Sequence, residues 1–552
     1  TVSLTWTTEP EGTTGFPQRG SGYNYNNGTS FIRQGDQNGA RVDNFRAGWP
    51  SIGILPNGQE WIIAHDATNG GFRMSKNDSK GSNNWTTGSP ILTYPDKQRP
   101  IWNRAANNGN TIHLICNFSD SSSPGDPRVI TLNGVRGPMM YSRSQDGGTT
   151  WDKQNTLLPG YDSTRIVSGG GDNYAIDVNG NTVAIVVGGL AEDVILWKSN
   201  DNGETFTRTI VDSFPYSPFR GLSLATDTPY CNDGSLDVLI DNNGDCHVFY
   251  GMSRVFDDDT TDDGAYNFFP ATALLSHWSE ASGVTQFIAG VVDEIDPGVL
   301  NIERGTYSGL INRQLPNGLD NVARTGNTGL VTMPSAGVDA QGRIFVTYSA
   351  PRENDLSIDN TNCRDVYVVY STDGGATWST PQNISQVQYT EDAFPAMARR
   401  VDDFVHVVWQ QDENPGTNLQ NNAEGGNNQS VSENKIMYAA VPVSKLINNE
   451  IGQGPGVGMQ EITGVSEIFR VSQNYPNPFS NETAVTVYMT EASEVKLTVT
   501  NLMGQVVIQQ NLGQFLPGNS VINIDANGLS AGIYTYTLST NSHEVGNKMI
   551  VK

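Results

Sequence analysis

Three observations predict an all-β fold for this chain of 552 residues. Glycine is abundant, at 59 residues, and charged residues make up only 16% of the chain, against about a quarter in ordinary globular proteins. Aromatic and β-branched residues are too frequent for disorder. A unit of two apolar strands around a polar turn recurs six times. A shorter pattern, S-x-D-x-G-x-T-W/F, recurs three times within it. Together these describe a six-bladed β-propeller over residues 1–445, a Gly-rich linker over 446–467, and a small Ig-like β-sandwich over 468–552.

The six copies read WPSIGILPNGQEWIIAHD from Trp49, RPIWNRAANNGNTIHLICN from Arg99, NYAIDVNGNTVAIVVGG from Asn173, SLDVLIDNNGDCHVFYG from Ser235, MPSAGVDAQGRIFVTYS from Met333 and FPAMARRVDDFVHVVWQ from Phe394. Five turns contain Gly (Gly58, Gly109, Gly180, Gly244, Gly342), which supplies the positive φ of a tight hairpin; the sixth uses Asp402-Asp403. The spacing leaves each copy room for two more strands. The nearly continuous apolar runs place the first two strands innermost, where both faces are covered. Copy six gains a third strand at Lys435–Val441, and a fourth is expected from the N-terminal segment near Thr29–Ile32, fastening the ring. Long loops at 118–139, 255–270 and 299–331 are expected on the blades, where such loops carry function or cover edges.

The shorter pattern comprises Ser144, Asp146, Gly148 and Trp151, then Ser199, Asp201, Gly203 and Phe206, then Ser371, Asp373, Gly375 and Trp378. Each copy lies between two strands, so it is a hairpin between the outer strands of a blade. The carboxylate can accept backbone N–H groups within the turn, glycine takes the left-handed conformation, and the aromatic ring packs beneath. A degenerate copy runs from Ser75 to Trp85, and a weaker trace surrounds Trp278. The motif resembles the Asp-box (BNR repeat) of sialidase-like β-propellers. That resemblance implies a structural role for these residues at the blade periphery, away from any active site.

The C-terminal 85 or so residues alternate at Val485–Tyr488, Val495–Val499 and Tyr534–Leu538, with turns at Met503-Gly504 and Pro517-Gly518-Asn519, as a small sandwich would. Tyr475, Pro476, Asn477, Pro478 and Phe479, then Gly504, then Gly532 and Tyr534, and finally Lys548 in the closing KMIVK, occur in the order found in the type A C-terminal sorting domain of the type IX secretion system of Bacteroidota, which this segment resembles. The resemblance implies an export address, with the translocon and its shuttle and sortase components as partners of 468–552. It also implies a secreted or outer-membrane cell-surface location after periplasmic transit. The chain opens on Thr1 without a basic or apolar leader, as expected if an export signal has been removed.

Lys and Arg total 33 and Asp and Glu 58, a net charge of −25 with no basic stripe, which argues against a nucleic-acid partner. The longest apolar run, Val183–Leu190, is strand-sized, which argues against a membrane span. Cys116, Cys231, Cys246 and Cys363 form no CxxC; one or two bridges are allowed, and no pairing is specified. The six histidines never fall at metal-ligand spacing, and there is no G-x-S-x-G elbow or phosphate loop. An acidic stretch holding Asp257, Asp259, Asp262 and Asp263 is the candidate for Ca²⁺, against a solvated loop.

For a catalytic propeller, the sialidase resemblance implies an arginine cluster that holds a sugar carboxylate, a Tyr nucleophile activated by Glu, and an acid Asp. Arg46, in Phe45-Arg46-Ala47-Gly48-Trp49-Pro50, stands where that family places its first arginine, although the following Ile is lost and Pro comes late. Arg99, Arg104, Arg399 and Arg400 are further candidates, and no Tyr–Glu pair is evident. The leading reading is therefore a surface propeller that binds glycans or proteins, with exposed Trp and Tyr among Asn- and Gly-rich loops. The alternatives are a sialidase-type exo-glycosidase and a structural subunit of a surface layer or filament.

Overall fold

The computed structural model describes residues 1–9, 16–32, 40–68, 70–94, 100–118, 131–167, 169–219, 225–227, 229–257, 266–268, 272, 274–290, 323, 325, 328–357, 361–387, 389–417, 434–451, 469–471, 474, 479–489, 492–501, 505–541 and 544–552. They form two compact units, Thr1–Ile451 and Gly452–Lys552.

The first unit is a propeller. Six antiparallel sheets follow one another, with the innermost strands of neighbouring blades side by side. Blade one runs outward through Ala47–Ile54, Glu60–Asp66, Phe72–Asn77 and Trp85–Thr87. Blade two comprises Pro100–Asn108, Thr111–Phe118, Met139–Ser144 and Lys153–Thr156, and blade three Tyr174–Asn179, Thr182–Val187, Val194–Ser199 and Thr207–Asp212. Blade four comprises Tyr230–Ile240, Cys246–Phe256, Leu274–Ser279 and Thr285–Gly290, and blade five Thr332–Asp339, Ile344–Leu356, Asn362–Ser371 and Gln382–Asn383. Blade six has three described strands, Glu391–Met397, Phe404–Asp412 and Lys435–Pro442, followed by a short helix, Val443–Ile447.

The apolar cores lie between blades, which explains the unbroken apolar runs of the sequence copies. In blade four, Val238, Val248 and Tyr250 face blade three, while Leu239 and Phe249 on the same strands face blade five. Strand alternation thus buries both faces of each blade. A repeated clasp joins the innermost strands, each using a side-chain oxygen to accept a backbone N–H of the next blade. Ser51 Oγ accepts from Ala105 at 3.1 Å and Asp177 Oδ2 from Ile240 at 2.8 Å. Asp237 Oδ2 accepts from Ala336 at 2.8 Å and Ser335 Oγ from Met397 at 3.0 Å. The four cysteines are buried free thiols.

The N-terminal segment departs from expectation. Thr29–Ile32 does not add a strand to blade six. Val2–Thr8, Gly20–Asn26 and Ala40–Arg41 make a separate three-stranded sheet. An Asn-Gly turn folds 29–32 back onto it, with Asn26 bridging Phe31 and the Ile32 N–H donating to Tyr25 O at 2.9 Å. This sheet packs on blade one through Glu60, which accepts from Ser3, from Tyr23 Oη at 2.7 Å, from Asn77 Nδ2 at 2.8 Å and from the Gly81 N–H at 3.1 Å.

The second unit has two sheets, one ordered Phe469–Val471, Glu482–Met489, Gly518–Asp525 and the other Val506–Phe515, Ser493–Asn501, Gly532–Ser539, Glu544–Val551. Val485, Val487, Val495, Leu497, Ile522, Tyr536 and Leu538 fill the space between them. Among the described residues, no helix is long and apolar enough to cross a membrane.

Candidate functional site

Five of the six innermost strands begin with a β-bulge, and each bulge turns one residue to positive φ. The bulges lie at Gly48/Ser51, Ile101/Arg104, Asn232/Leu236, Thr332/Ser335 and Ala393/Ala396. The residues turned are Trp49 (φ 52°), Trp102 (54°), Gly234 (86°), Met333 (58°) and Phe394 (57°). Glycine at such a position is unremarkable, but a bulky residue there is an outlier that costs roughly 1–3 kcal/mol. Trp49, Met333 and Phe394 also precede proline, which further restricts the backbone.

Neighbours hold these conformations in place. The Trp49 N–H donates to Thr7 Oγ1 of the N-terminal sheet and the Met333 N–H to Ser235 Oγ of blade four, both at 3.2 Å. Because the bulges occupy equivalent positions, the four large side chains ring one end of the propeller axis. Phe394 is 42% exposed, and Trp49, Trp102 and Met333 are half-buried.

The blade-one side of this mouth is the most elaborated. The Trp49 and Trp102 rings lie 6.0 Å apart, tilted by 58°. His65 stacks on Trp49 at 5.3 Å, and the Arg19 guanidinium sits 5.6 Å from its ring centre. Arg19 donates to Ala47 O at 2.8 Å and to His65 Nε2 at 3.1 Å. Arginine can only donate, so His65 is neutral with its proton on Nδ1. The 3.4 Å approach of the Trp102 N–H to that Nδ1 therefore excludes the Arg19 bond whenever it forms. Burial, then Arg19 and Arg46, push the His65 pKa down to about 3. Trp102 lies over Gly171, where an added Cβ would come within 2.6 Å of the indole.

The expected arginines do not meet. Arg46 reaches the same mouth, its Nε donating to Phe16 O at 2.9 Å. Arg104 pairs with exposed Asp172 at 3.3 Å. Arg399 grips Asp237 of blade four with both terminal nitrogens, and the exposed Arg400 lies 3.7 Å from Asp177 of blade three, so each faces a carboxylate of another blade. Arg99 lies outside the described residues. A Tyr–Glu pair does exist, Tyr23–Glu60, but both members are fully buried under the N-terminal sheet and Glu60 has three other donors.

The three S-x-D turns lie between the third and fourth strands of blades two, three and five. Ser144, Ser199 and Ser371 each donate to the aspartate two residues on and accept from Gly148, Gly203 and Gly375. The Thr150, Thr205 and Thr377 hydroxyls donate to Asp146, Asp201 and Asp373 at 2.6 Å. These bonds hold the carboxylates below their ordinary pKa, Asp146 at about 2. The glycine two residues after each aspartate abuts the preceding blade: a Cβ would lie 2.4 Å from Met74 Sδ at Gly148, 2.0 Å from Tyr141 Oη at Gly203 and 2.6 Å from His277 Cε1 at Gly375. Trp151 joins the core between blades one and two, Phe206 meets Tyr141 at 5.1 Å, and Trp378 meets His277 at 4.9 Å. A cavity of about 340 Å³ beside the Asp373 turn, lined by Val284 and Gln286, lies at this periphery and not at the mouth.

Of the calcium candidates, Asp257 is buried and its backbone pairs with Thr226, while Asp259, Asp262 and Asp263 lie outside the described residues. Among the described residues no group of three His, Cys, Asp or Glu could hold a metal. The long loops expected at 118–139, 255–270 and 299–331 also fall largely outside. In the sandwich, Phe479 is buried and bridges to Val551, its N–H donating to Ile550 O at 3.0 Å. Gly532 pairs with Val551, Tyr534 donates from the core to Ser530 O at 2.8 Å, and Lys548 lies opposite Thr535. Tyr475, Pro476, Asn477, Pro478 and Gly504 are outside the described residues.

Sequence reasoning missed Arg19, His65, Trp102 and the bulges. Large residues before proline at the start of three copies were the available signal.

No curated protein matches the chain in sequence. Its structure is similar to an ulvan lyase of polysaccharide lyase family 25, at 11% identity and TM-score 0.39, over 80% of this chain and 93% of that one. It is also similar to an α-L-arabinofuranosidase from Fusarium graminearum (10% identity, TM-score 0.38, 73% and 96% covered) and to a Hadza microbial sialidase (11%, 0.34, 74% and 71%). Residues 473–552 match the secretion system C-terminal sorting domain family. The chain therefore carries a secretion-system sorting domain at its C-terminus, and the protein is exported to the cell surface or secreted.

Proposed function

We propose that the propeller is a glycan-binding module displayed or released by its sorting domain, with the bulge residues Trp49, Trp102, Met333 and Phe394 as the binding mouth. The observation that carries this reading is the backbone strain: four bulky side chains are held at positive φ, half-exposed, at one end of the ring. Strain of this kind persists where a site needs it. Aromatic faces suit the C–H faces of sugars, and Arg19, Arg46 and the polar rim offer donors to hydroxyl or acidic groups.

The test is an oligosaccharide array that includes uronate-containing glycans, followed by calorimetry with the best ligand. Trp49→Ala and Trp102→Ala are expected to weaken binding by about 10–100-fold, the value of a buried aromatic anchor. Wild-type affinity in both variants would overturn the proposal. So would turnover of a chromogenic glycoside, which would make the propeller a hydrolase.

A further inference from the structure

We infer that the sheet of Val2–Thr8, Gly20–Asn26 and Ala40–Arg41 is the closing blade of the ring, latched onto blade six by Phe31, and that this latch is where the propeller opens first. One aromatic contact recurs around the ring. The aromatic residue after a third-to-fourth-strand turn stands edge-on against a ring in the third strand of the preceding blade. Phe206 meets Tyr141 at 5.1 Å and 78°, and Trp378 meets His277 at 4.9 Å and 68°. Blade one makes a matching edge-on contact with the middle strand of the N-terminal sheet, Trp85 on Tyr23 at 4.9 Å and 75°. Its turn glycine, Gly81, leaves a Cβ only 2.3 Å from Tyr25. The N-terminal sheet therefore stands to blade one as blade two stands to blade three.

Phe31 completes the series on the other side, meeting Tyr438 of blade six at 5.1 Å and 89°. The receptor is the same as in blade two. There, Tyr141 pairs with Ile115, and His113, two residues earlier, bonds its hydroxyl through Nδ1 at 2.8 Å with the rings 6.1 Å apart. In blade six, Tyr438 pairs with Val408, and His406 bonds its hydroxyl through Nδ1 at 2.6 Å with the rings 6.0 Å apart. The turn that presents Phe31 is built without charge. Asn26 Oδ1 accepts the Gly28 N–H at 2.8 Å, and Asn27 Oδ1 accepts those of Thr29 at 2.8 Å and Ser30 at 3.0 Å. These amides replace the Ser and Asp side chains of the other turns, and neutral bonds are weaker than charge-assisted ones. Among the described residues, the two sheets joined here are also the ring's three-stranded ones. Opening would free Trp49 from Thr7 and Arg19, so the latch also governs the mouth.

Hydrogen exchange on the full chain tests this. In the wild type, amides of Val2–Thr8 and Gly20–Asn26 are expected to exchange ahead of Tyr174–Asn179 in blade three. Phe31→Ala is expected to speed them by at least about tenfold while blade three keeps its rate, and Phe31→Trp to keep them slow. If Phe31→Ala does not fold, Asn27→Ala at the exposed turn is expected to give a smaller increase in the same segment. An N-terminal sheet as slow as blade three, no acceleration in either alanine variant, or equal acceleration in every blade would overturn the inference.

Discussion

Glu60 is the most heavily used side chain at the junction of the N-terminal sheet and blade one, and its removal tests how that junction is held. The carboxylate is 1% exposed, and the Tyr23 and Asn77 donors bound to it are fully buried. Glu60→Ala leaves the Tyr23 hydroxyl, the Asn77 amide and the Gly81 N–H without an acceptor, at about 1–3 kcal/mol for each fully buried group. Allowing for relief from burying a charge, the expected loss is roughly 3–6 kcal/mol. Glu60→Gln should cost far less. Oε2 takes three of the four donors and Oε1 only the Ser3 hydroxyl, so an amide oxygen can serve the three while its NH₂ donates to Ser3. About 1 kcal/mol is expected, for exchanging charged for neutral acceptors. Unfolding entropy of roughly 2.1 cal/mol/K per residue makes 1 kcal/mol worth about 1 °C for a 451-residue unit. Calorimetry should therefore show the propeller transition about 3–6 °C lower in Glu60→Ala and about 1 °C lower in Glu60→Gln. Equal shifts in the two variants, or none in Glu60→Ala, would refute the reasoning.

Two further outcomes follow from the blade junctions. Asp355 is buried near Asp365, and burial and that neighbour raise its pKa to about 7. The folded state then holds a proton that the unfolded state releases near pH 4, so stability falls as pH rises between those values. Urea titrations should find the wild type less stable at pH 8 than at pH 5, and Asp355→Asn should remove up to about 2–4 kcal/mol of that difference; a pH-independent difference between the two proteins would contradict it. Gly203→Ala should destabilise by about 2 kcal/mol or more, because its Cβ would meet Tyr141 as well as φ 77°, whereas Gly374→Ala, at φ 70° with open space, should lose only about 1 kcal/mol. Similar midpoint shifts by denaturant titration would show that the contact does not matter.

The parts of the fold that were legible in sequence are those that local chemistry decides. Asn-Gly turns and two-sided apolar strands announced the blades, and the S-x-D turns announced their own hydrogen bonds. The N-terminal sheet was not legible because VSLTWTT and GSGYNYN contain no apolar run. Gly20 and Gly22 sit under Arg41 and Trp6, and burial comes from partners distant in sequence, such as Glu60, 37 residues from Tyr23. That is also why Thr29–Ile32 was misplaced: the Asn26-Asn27-Gly28 turn pairs it with its own sheet, so it touches blade six through the Phe31 ring and not as an added strand. At the mouth, Arg46 and Trp49 were in view, but Arg19 and His65 meet across 46 residues of sequence and only the fold brings them together. Positive φ at tryptophan or phenylalanine has no propensity signal, since it is imposed by the clasp to the neighbouring blade.

The central claim is that sugars stack on the aromatic mouth, and tryptophan fluorescence reports on it most directly. Titrating the full chain with an array-selected oligosaccharide should give a saturable change in emission. That change should be abolished in the Trp49→Ala/Trp102→Ala double variant, and the eight remaining tryptophans should leave its unliganded spectrum folded. An undiminished change in the double variant would place the ligand elsewhere on the propeller and contradict the account.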